Sequence, residues 1–287
     1  MPSIFLSPFK NIVSYLQVGG QVQRTHPLNR FISRDTILEL GGTQMSDKLT
    51  ALACAFFIAP LLSAQTVDEI IAKNLQARGG LTKIKAVQSM RATGKLTSGS
   101  FQAKFIQMNL RPNRVREEVV IQGMSQIDAY DGKIGWRVSP FEGRKDPDLL
   151  SSDDMKALIT DADIDGQLVD YRNKDHRAEL EGHDSVEGTD CYKIKLMLSN
   201  GDVRYFYIDT DSFLELKIET QRNIRGTVQY SETYYGDYEE VNGIYFPFAM
   251  EVGEKGSTDR TKFTIEKVEL NVPLKATLFT VPTGGAK

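Results

Sequence analysis

Residues 191–208 read CYKIKLMLSNGDVRYFYI. In the first half Tyr192, Ile194, Leu196 and Leu198 alternate with Cys191, Lys193, Lys195 and Met197. That period of two sets one face of a strand on a core and the other in water. Asn200-Gly201 follows, a dipeptide that closes tight hairpins because both residues tolerate positive φ. Val203-Arg-Tyr-Phe-Tyr-Ile208 then carries large apolar groups on both faces, which predicts a strand that packs on one side and lines something on the other. Further out, Asp131-Gly132 and Asn242-Gly243 repeat the turn signal, and Leu214, Leu216 and Ile218 alternate with Glu215, Lys217 and Glu219. From Ser89 onward the pattern is therefore a meander of antiparallel strands. Between Phe263/Ile265 and Val268/Leu270 the apolar parity flips, the mark of a bulge that bends a strand and helps a sheet curl.

Two helices interrupt this pattern. Thr66-Val-Asp-Glu69 is a capping box, Val67, Ile70, Ile71 and Leu75 recur at helical spacing, and Gly79-Gly80 supplies a left-handed stop. Met155, Leu158, Ile159 and Ala162 form a second apolar stripe, with Ser151 and Asp154 placed to cap it. This helix lies in a connection of about 30 residues, a length typical of a lid, an Ω-loop or a disordered excursion. Without a linker, repeat or low-complexity stretch, residues 65–287 read as one domain.

Upstream, Leu49–Leu62 reads LTALACAFFIAPLL, fourteen residues without a charge, preceded by Lys48 and followed by Ser63-Ala64. This is the pattern of a secretory signal peptide, residues 45–64, cut after Ala64 although Leu62 is large for its position. The run is too short for a membrane span and is broken by Pro60. Ala51, rather than a leucine, stands three places before Cys54, so lipid modification of that cysteine is not expected. Met45 fits as the start of the signal. Residues 1–44 are then expected to correspond to an untranslated leader, whose Gly41-Gly42 codons suit a ribosome-binding sequence, or to a disordered extension. The expected destination is the periplasm.

The chain carries 35 Lys+Arg against 38 Asp+Glu; five and three of these precede residue 65, leaving 30 against 35. A mildly acidic chain lacks the basic face that nucleic acid requires. Only Cys191 remains after the cut, so no intrachain disulfide is available, and the core must supply the stability. His176 and His183 stand in charged surroundings and read as exposed loop residues with too few companions for a metal site. Cys191 opens a strand without a partnering histidine and reads as a buried or half-buried thiol, not a nucleophile. Asp161-Ala-Asp163-Ile-Asp165-Gly166 resembles the start of a calcium loop, but Arg172 stands where its closing glutamate belongs, so a solvated acidic loop is expected. No glycine-rich piece matches a phosphate loop. The chain is therefore expected to be no enzyme and to hold neither cofactor nor metal. Aromatics crowd at Tyr205-Phe206-Tyr207, Tyr230, Tyr234-Tyr235, Tyr238 and Tyr245–Phe248, as sheet packing or as the lining of a cavity.

Asn109-Leu-Arg-Pro-Asn-Arg-Val-Arg116, then Asp131-Gly-Lys-Ile-Gly-Trp-Arg-Val-Ser-Pro-Phe141, and finally Leu278-Phe-Thr-Val-Pro282 occur in the order of an Arg-Pro-Asn turn, a hairpin with a Trp strand and a C-terminal Phe strand. In these pieces the chain resembles the outer-membrane lipoprotein carrier and sorting family, LolA, LolB and their relatives. The resemblance implies a mainly β fold, an unclosed antiparallel β-barrel whose concave apolar face is covered by α-helices, with acyl chains held between sheet and lid. It implies a monomeric periplasmic carrier for an acylated lipoprotein or another lipid, handed between membrane-bound donor and acceptor proteins. With the two-faced strand and the second apolar stripe, the candidate ligand and lid residues are Arg111, Trp136, Phe141, Met155, Leu158, Ile159, Tyr205 and Tyr207. In the family the arginine of the Arg-Pro motif hydrogen-bonds lid backbone and keeps the empty cavity shut, a role that carries over to Arg111. The stretch from Ser151 to Asp190 is longer than the family pattern, and Pro140-Phe141 is followed by Glu-Gly-Arg-Lys instead of apolar residues. A second reading is an RseB-like regulatory or sensory lipid-binding module on the same scaffold.

Overall fold

In the computed structural model, which describes residues 65–282, the capping box forms as the sequence requires. The Thr66 hydroxyl accepts from Glu69 N–H, and the Glu69 carboxylate accepts from Thr66 N–H. They open helix α1, Val67–Ala77, which buries Ile70 and Ile71. The chain then turns at Gly79-Gly80 into a short helix absent from the sequence reading, α2, Leu81–Ala86. Gly79 is obligatory at this corner: its φ is +117°, and a Cβ would lie 2.1 Å from the Gly243 carbonyl oxygen. The corner thus rests on the Asn242-Gly243 turn, where Tyr245 N–H donates to Arg78 O at 3.0 Å. The expected signal peptide and residues 1–44 lie outside the described residues.

Thirteen strands follow: β1 Ser89–Ser98, β2 Phe101–Leu110, β3 Arg114–Ile121, β4 Met124–Tyr130, β5 Gly135–Ser139, β6 Arg144–Leu149, β7 Arg177–Val186, β8 Thr189–Met197, β9 Val203–Asp209, β10 Glu215–Ile224, β11 Thr227–Val241, β12 Ile244–Glu254 and β13 Arg260–Leu270. They make one antiparallel sheet in the order β6-β5-β4-β3-β2-β1-β13-β12-β11-β10-β9-β8-β7. The chain runs outward in a meander from β1 to β6, crosses to the far edge, and returns inward from β7 to β13. The edges β6 and β7 do not pair, so the sheet is unclosed. All three turn dipeptides close hairpins, and the parity flip is a bulge: Thr93 faces Lys267 and Gly94 faces Ile265, which leaves Glu266 as the extra residue.

The crossing from β6 to β7 is the long connection. It contains α3, Ser152–Asp161, capped by Ser151 Oγ accepting from Asp154 N–H, and a 3₁₀ turn at Tyr171–Lys174. Together with α1 and α2 it roofs the inner face of the sheet. Ile70, Ile71, Ile84, Ile164, Leu168 and Val169 come down from this roof onto the sheet.

The C-terminal piece Leu278–Pro282, expected as a strand, is instead a 3₁₀ turn at Ala276–Leu278 followed by Phe279, which is fully buried on the opposite, outer face. Trp136 Nε1–H donates to Phe279 O at 2.8 Å, and Arg116 Nη1 donates to Leu278 O at 3.0 Å. Those carbonyls satisfy side chains, not a strand ladder.

Candidate functional site

Cross-strand register divides the inner face into two parts. Leu96, Phe105, Phe263 and Met250 form one continuous apolar surface with Ile218, Phe206 and Ile194. Phe105 meets Phe263 edge-on at 5.4 Å. This greasy half lies under α1, α2 and residues 164–171. Its hollow is filled by the roof's own side chains: the cavity lined by Arg78, Ile84, Val87, Met90, Ile164, Ile244 and Phe246 measures about 10 Å³.

Under α3 the same face is ionisable. Gln107 faces Glu117, which faces Asp128, which faces Arg137. Glu117 is 2 % exposed, and neither of its carboxylate oxygens has a hydrogen-bonding partner. Burial, with Asp161 and Asp128 adding repulsion, raises its pKa well above the usual carboxylate range. Burial likewise pushes Asp128 up to about 6, although Arg137 Nε donates to it at 2.6 Å. From the roof, Asp161 O accepts from Asn109 Nδ2 at 2.7 Å, and Gln167 receives Arg204 Nη1. This half opens to solvent through a cleft of about 450 Å³ whose walls include Arg137, Arg222, Arg225, Asp153 and Asp154.

The greasy roof is held down by few polar contacts. Arg111 Nε donates to Val87 O at 2.6 Å and Nη2 to Lys85 O at 3.2 Å, at the end of α2, while Nη1 reaches Asp165 Oδ2 at 3.0 Å in the crossing. One guanidinium therefore ties β2, α2 and the crossing together. Asp68 of α1 accepts from Arg172 and from the Tyr171 hydroxyl, at 2.7 and 2.9 Å, which holds its carboxyl below the usual range. Lys85 pairs with Asp170.

A family described only as an uncharacterized protein matches residues 150–283. No curated protein matches the chain. Among solved structures, a LolA superfamily protein from Nitrosomonas europaea is 13 % identical with a TM-score of 0.52, covering 76 % of this chain and 98 % of its own. The chain has a LolA-like fold. An outer-membrane lipoprotein-sorting protein domain from Vibrio parahaemolyticus is 11 % identical, TM-score 0.49, covering 74 % of this chain and 94 % of its own. The Mycobacterium tuberculosis lipoprotein LppX is 12 % identical, TM-score 0.28, covering 74 % and 100 %. Among the described residues no helix is long and apolar enough to cross a membrane.

Within this LolA-like fold the expected site residues separate. Met155 and Leu158 meet on the inner side, where Leu158 packs on Val115 and Tyr130 and the Met155 sulfur accepts from Gly135 N–H, while Arg111 stands apart from them against α2 and Asp165. Ile159 does not join them. The buried face of α3 passes through Leu158, Asp161 and Ala162, which leaves Ile159 42 % exposed. Trp136 is buried on the outer face under Phe279, so it lines no inner hollow. Tyr205 and Tyr207 also lie outside, because Phe206 between them takes the inner position. The Tyr207 hydroxyl donates to Glu219 at 3.0 Å, and Lys193 and Lys217 stand over the Tyr207 ring. Phe141 is exposed in the 3₁₀ turn between β5 and β6.

Cys191 is buried with Val186 and Tyr207, and burial pushes its thiol up to about 11, away from nucleophilic use. His183 is exposed but stands in β7, not in a loop, while His176 accepts from Ser199 N–H and burial lowers its pKa. The acidic stretch is no solvated loop: Asp161 is buried, Asp163 pairs with Lys174, and Asp165 pairs with Arg111.

Sequence reasoning missed Glu117 and Glu215. In Arg114–Ile121 the alternation that buries Val115 and Val119 also buries Glu117, so parity was a usable signal there. Glu215 was assigned to the wet face, but a register shift between Glu215 and Lys217 turns it inward, 1 % exposed.

Proposed function

We propose that this chain is an envelope protein, exported to the periplasm, that binds and carries a ligand with acyl chains, a lipoprotein or another lipid, and catalyses no reaction. The observation that carries this reading is the greasy half of the inner face, covered by short elements that are pinned chiefly through Arg111. The LolA-like fold supports it. Each buried methylene contributes about 0.8 kcal/mol, so one long acyl chain offers on the order of 10 kcal/mol gross. Because Ile164, Leu168 and Val169 occupy the hollow, a ligand has to displace them, which lowers net affinity and keeps release possible.

Protein isolated from the periplasm is expected to carry lipid detectable by native mass spectrometry and solvent extraction, and to bind acylated peptide when stripped. Arg111→Leu removes the pin, so retention of acylated peptide should lengthen about tenfold, the equivalent of one or two hydrogen bonds. Unchanged release would remove Arg111 from this role.

The filled interior favours one other reading, an RseB-like regulatory module that reports to a signalling partner. Protein without lipid, unable to bind acylated peptide yet capturing an envelope signalling protein, would replace the carrier reading by that one.

A further inference from the structure

Arg78 follows the last residue of α1 and is 2 % exposed. Its backbone is fully engaged: N–H donates to Asn74 O, and the carbonyl accepts from Tyr245 N–H. Its side chain is not. Nη2 donates to Asp165 O at 3.3 Å, while Nε and Nη1 have no hydrogen-bonding partner. The guanidinium lines the small cavity between α2, the crossing and the sheet, whose other walls are entirely apolar. Leaving charged donors unpaired in such walls is costly. A planar guanidinium is also the side chain whose donors match the paired oxygens of a carboxylate or phosphate.

The protein's own acids leave this position open. Asp165 gives its carboxylate to Arg111 and only its backbone carbonyl to Arg78. Glu215 is buried in the same region and keeps both carboxylate oxygens without a partner. Both charges act on Tyr238, whose hydroxyl donates to Glu215 O at 2.6 Å. Asn74, one turn before Arg78, also holds a buried oxygen with no partner. Two of the cavity walls, Ile84 and Ile164, belong to the roof segments that Arg111 pins. Lifting that roof therefore uncovers the guanidinium at the margin of the greasy half.

We infer that Arg78 is the headgroup site for an anionic amphiphile: the guanidinium takes a carboxylate or phosphate, and the attached acyl chain replaces Ile164, Leu168 and Val169 on the sheet. The inference rests on the lipid-binding reading and deepens it by naming the charge of the ligand. A neutral acyl ester would fill the same hollow and leave Arg78 unpaired.

The test uses the delipidated protein and displacement of a neutral hydrophobic dye at pH 7.5 by laurate, dodecyl phosphate, methyl laurate and inorganic phosphate. Laurate and dodecyl phosphate are expected to bind at least tenfold more tightly than methyl laurate, with inorganic phosphate silent at millimolar concentration. Arg78→Met should erase the difference between acid and ester while leaving the ester unchanged, and Arg78→Lys should restore part of it. Should Arg78→Met fail to fold, Glu215→Gln decides: removing the opposing buried charge should widen the acid-to-ester ratio several-fold, and an unchanged ratio overturns the assignment. Equal affinity for acid and ester in the unaltered protein, or a ratio that survives Arg78→Met, also overturns it. Competition by inorganic phosphate as strong as by dodecyl phosphate would make this a free-anion site and end the amphiphile assignment. If no lipid binds, the lipid-binding reading itself falls and takes the inference with it; if acid and ester bind equally, only the headgroup site is lost.

Discussion

Under α1 and α2 the inner face of the sheet packs Phe206 beside Ile218 and Phe105 edge-on to Phe263; under α3 the same face carries Gln107, Glu117, Asp128 and Arg204 at comparable burial. Both regions are roofed, and both belong to one hydrogen-bonded sheet. They differ in what the roof supplies. Over the greasy half it brings hydrocarbon, which an acyl chain can replace in kind, because the hydrophobic effect is non-directional. Over the ionisable half it brings Asp161 O to Asn109 and Gln167 to Arg204, directional partners that hydrocarbon cannot replace. The contrast makes α3, with Gln167 tied to it through Thr160 O, the fixed part of the roof, and α2 with the side chains of Ile164, Leu168 and Val169 the exchangeable part.

The largest effect that can break this contrast is in the greasy half. Phe263→Ala removes a fully buried ring and its edge contact to Phe105, and it should lower unfolding free energy by about 3–5 kcal/mol in urea denaturation. A loss under about 1 kcal/mol would mean that the hollow is not packed by its own side chains, and the closed-roof account would go with it.

The ionisable half should reveal itself through pH. Asp128 and Glu117 both titrate above their unfolded values, so the folded state holds their protons more tightly. Their contribution to stability is present below the unfolded carboxylate range and is lost as pH rises through the folded values, for Asp128 about 6. The paired carboxylates Asp68, Asp184 and Glu269 are held low and work in the opposite sense, but only as pH falls below about 4. Between pH 7.5 and 5 these two acids should therefore make the protein more stable on acidification, Asp128 by on the order of 1 kcal/mol, with His176, whose pKa burial lowers, opposing them in the same window. Thermal melts across that window, with Glu117→Gln flattening the slope, check this. A melting temperature that falls steadily from pH 7.5 to 5 would contradict the burial of these acids.

What was legible in the sequence was whatever local chemistry dictates. The capping box of α1, the Ser151 cap of α3, three hairpin dipeptides and the bulge at Glu266 each follow from residues within a few positions of one another. Helix α2 was not legible: it is six residues long, Gly80 gives it no side-chain cap, and only Ile84 is buried, so packing alone forms it. Edge strand β6, Arg144–Leu149, has no alternation and borrows its conformation from β5. At the site, Arg111 was reached only through the family resemblance, because its bonds to Val87 O, Lys85 O and Asp165 join segments distant in sequence. The face of Tyr205 and Tyr207 was not legible, since Val203–Ile208 is apolar on both sides and only the placement of the roof decides which side is inner. Arg78 and Glu215 depend on a helix corner and on a bulge, both of which are tertiary outcomes.

The smallest effect sharpens the boundary between the two regions at α3. Helical spacing alone groups Ile159 with Met155, Leu158 and Ala162, which would make it part of a greasy lid; the sheet beneath instead selects the face through Leu158 and Asp161 and leaves Ile159 in water. Ile159→Ser should then change stability by less than about 0.5 kcal/mol, as surface substitutions do, and should leave acyl-chain binding untouched. A serine there that loosened ligand binding would place Ile159 against the ligand. That result requires α3 to rotate when the roof opens, breaking the Asn109–Asp161 contact and making the ionisable half part of the movable lid.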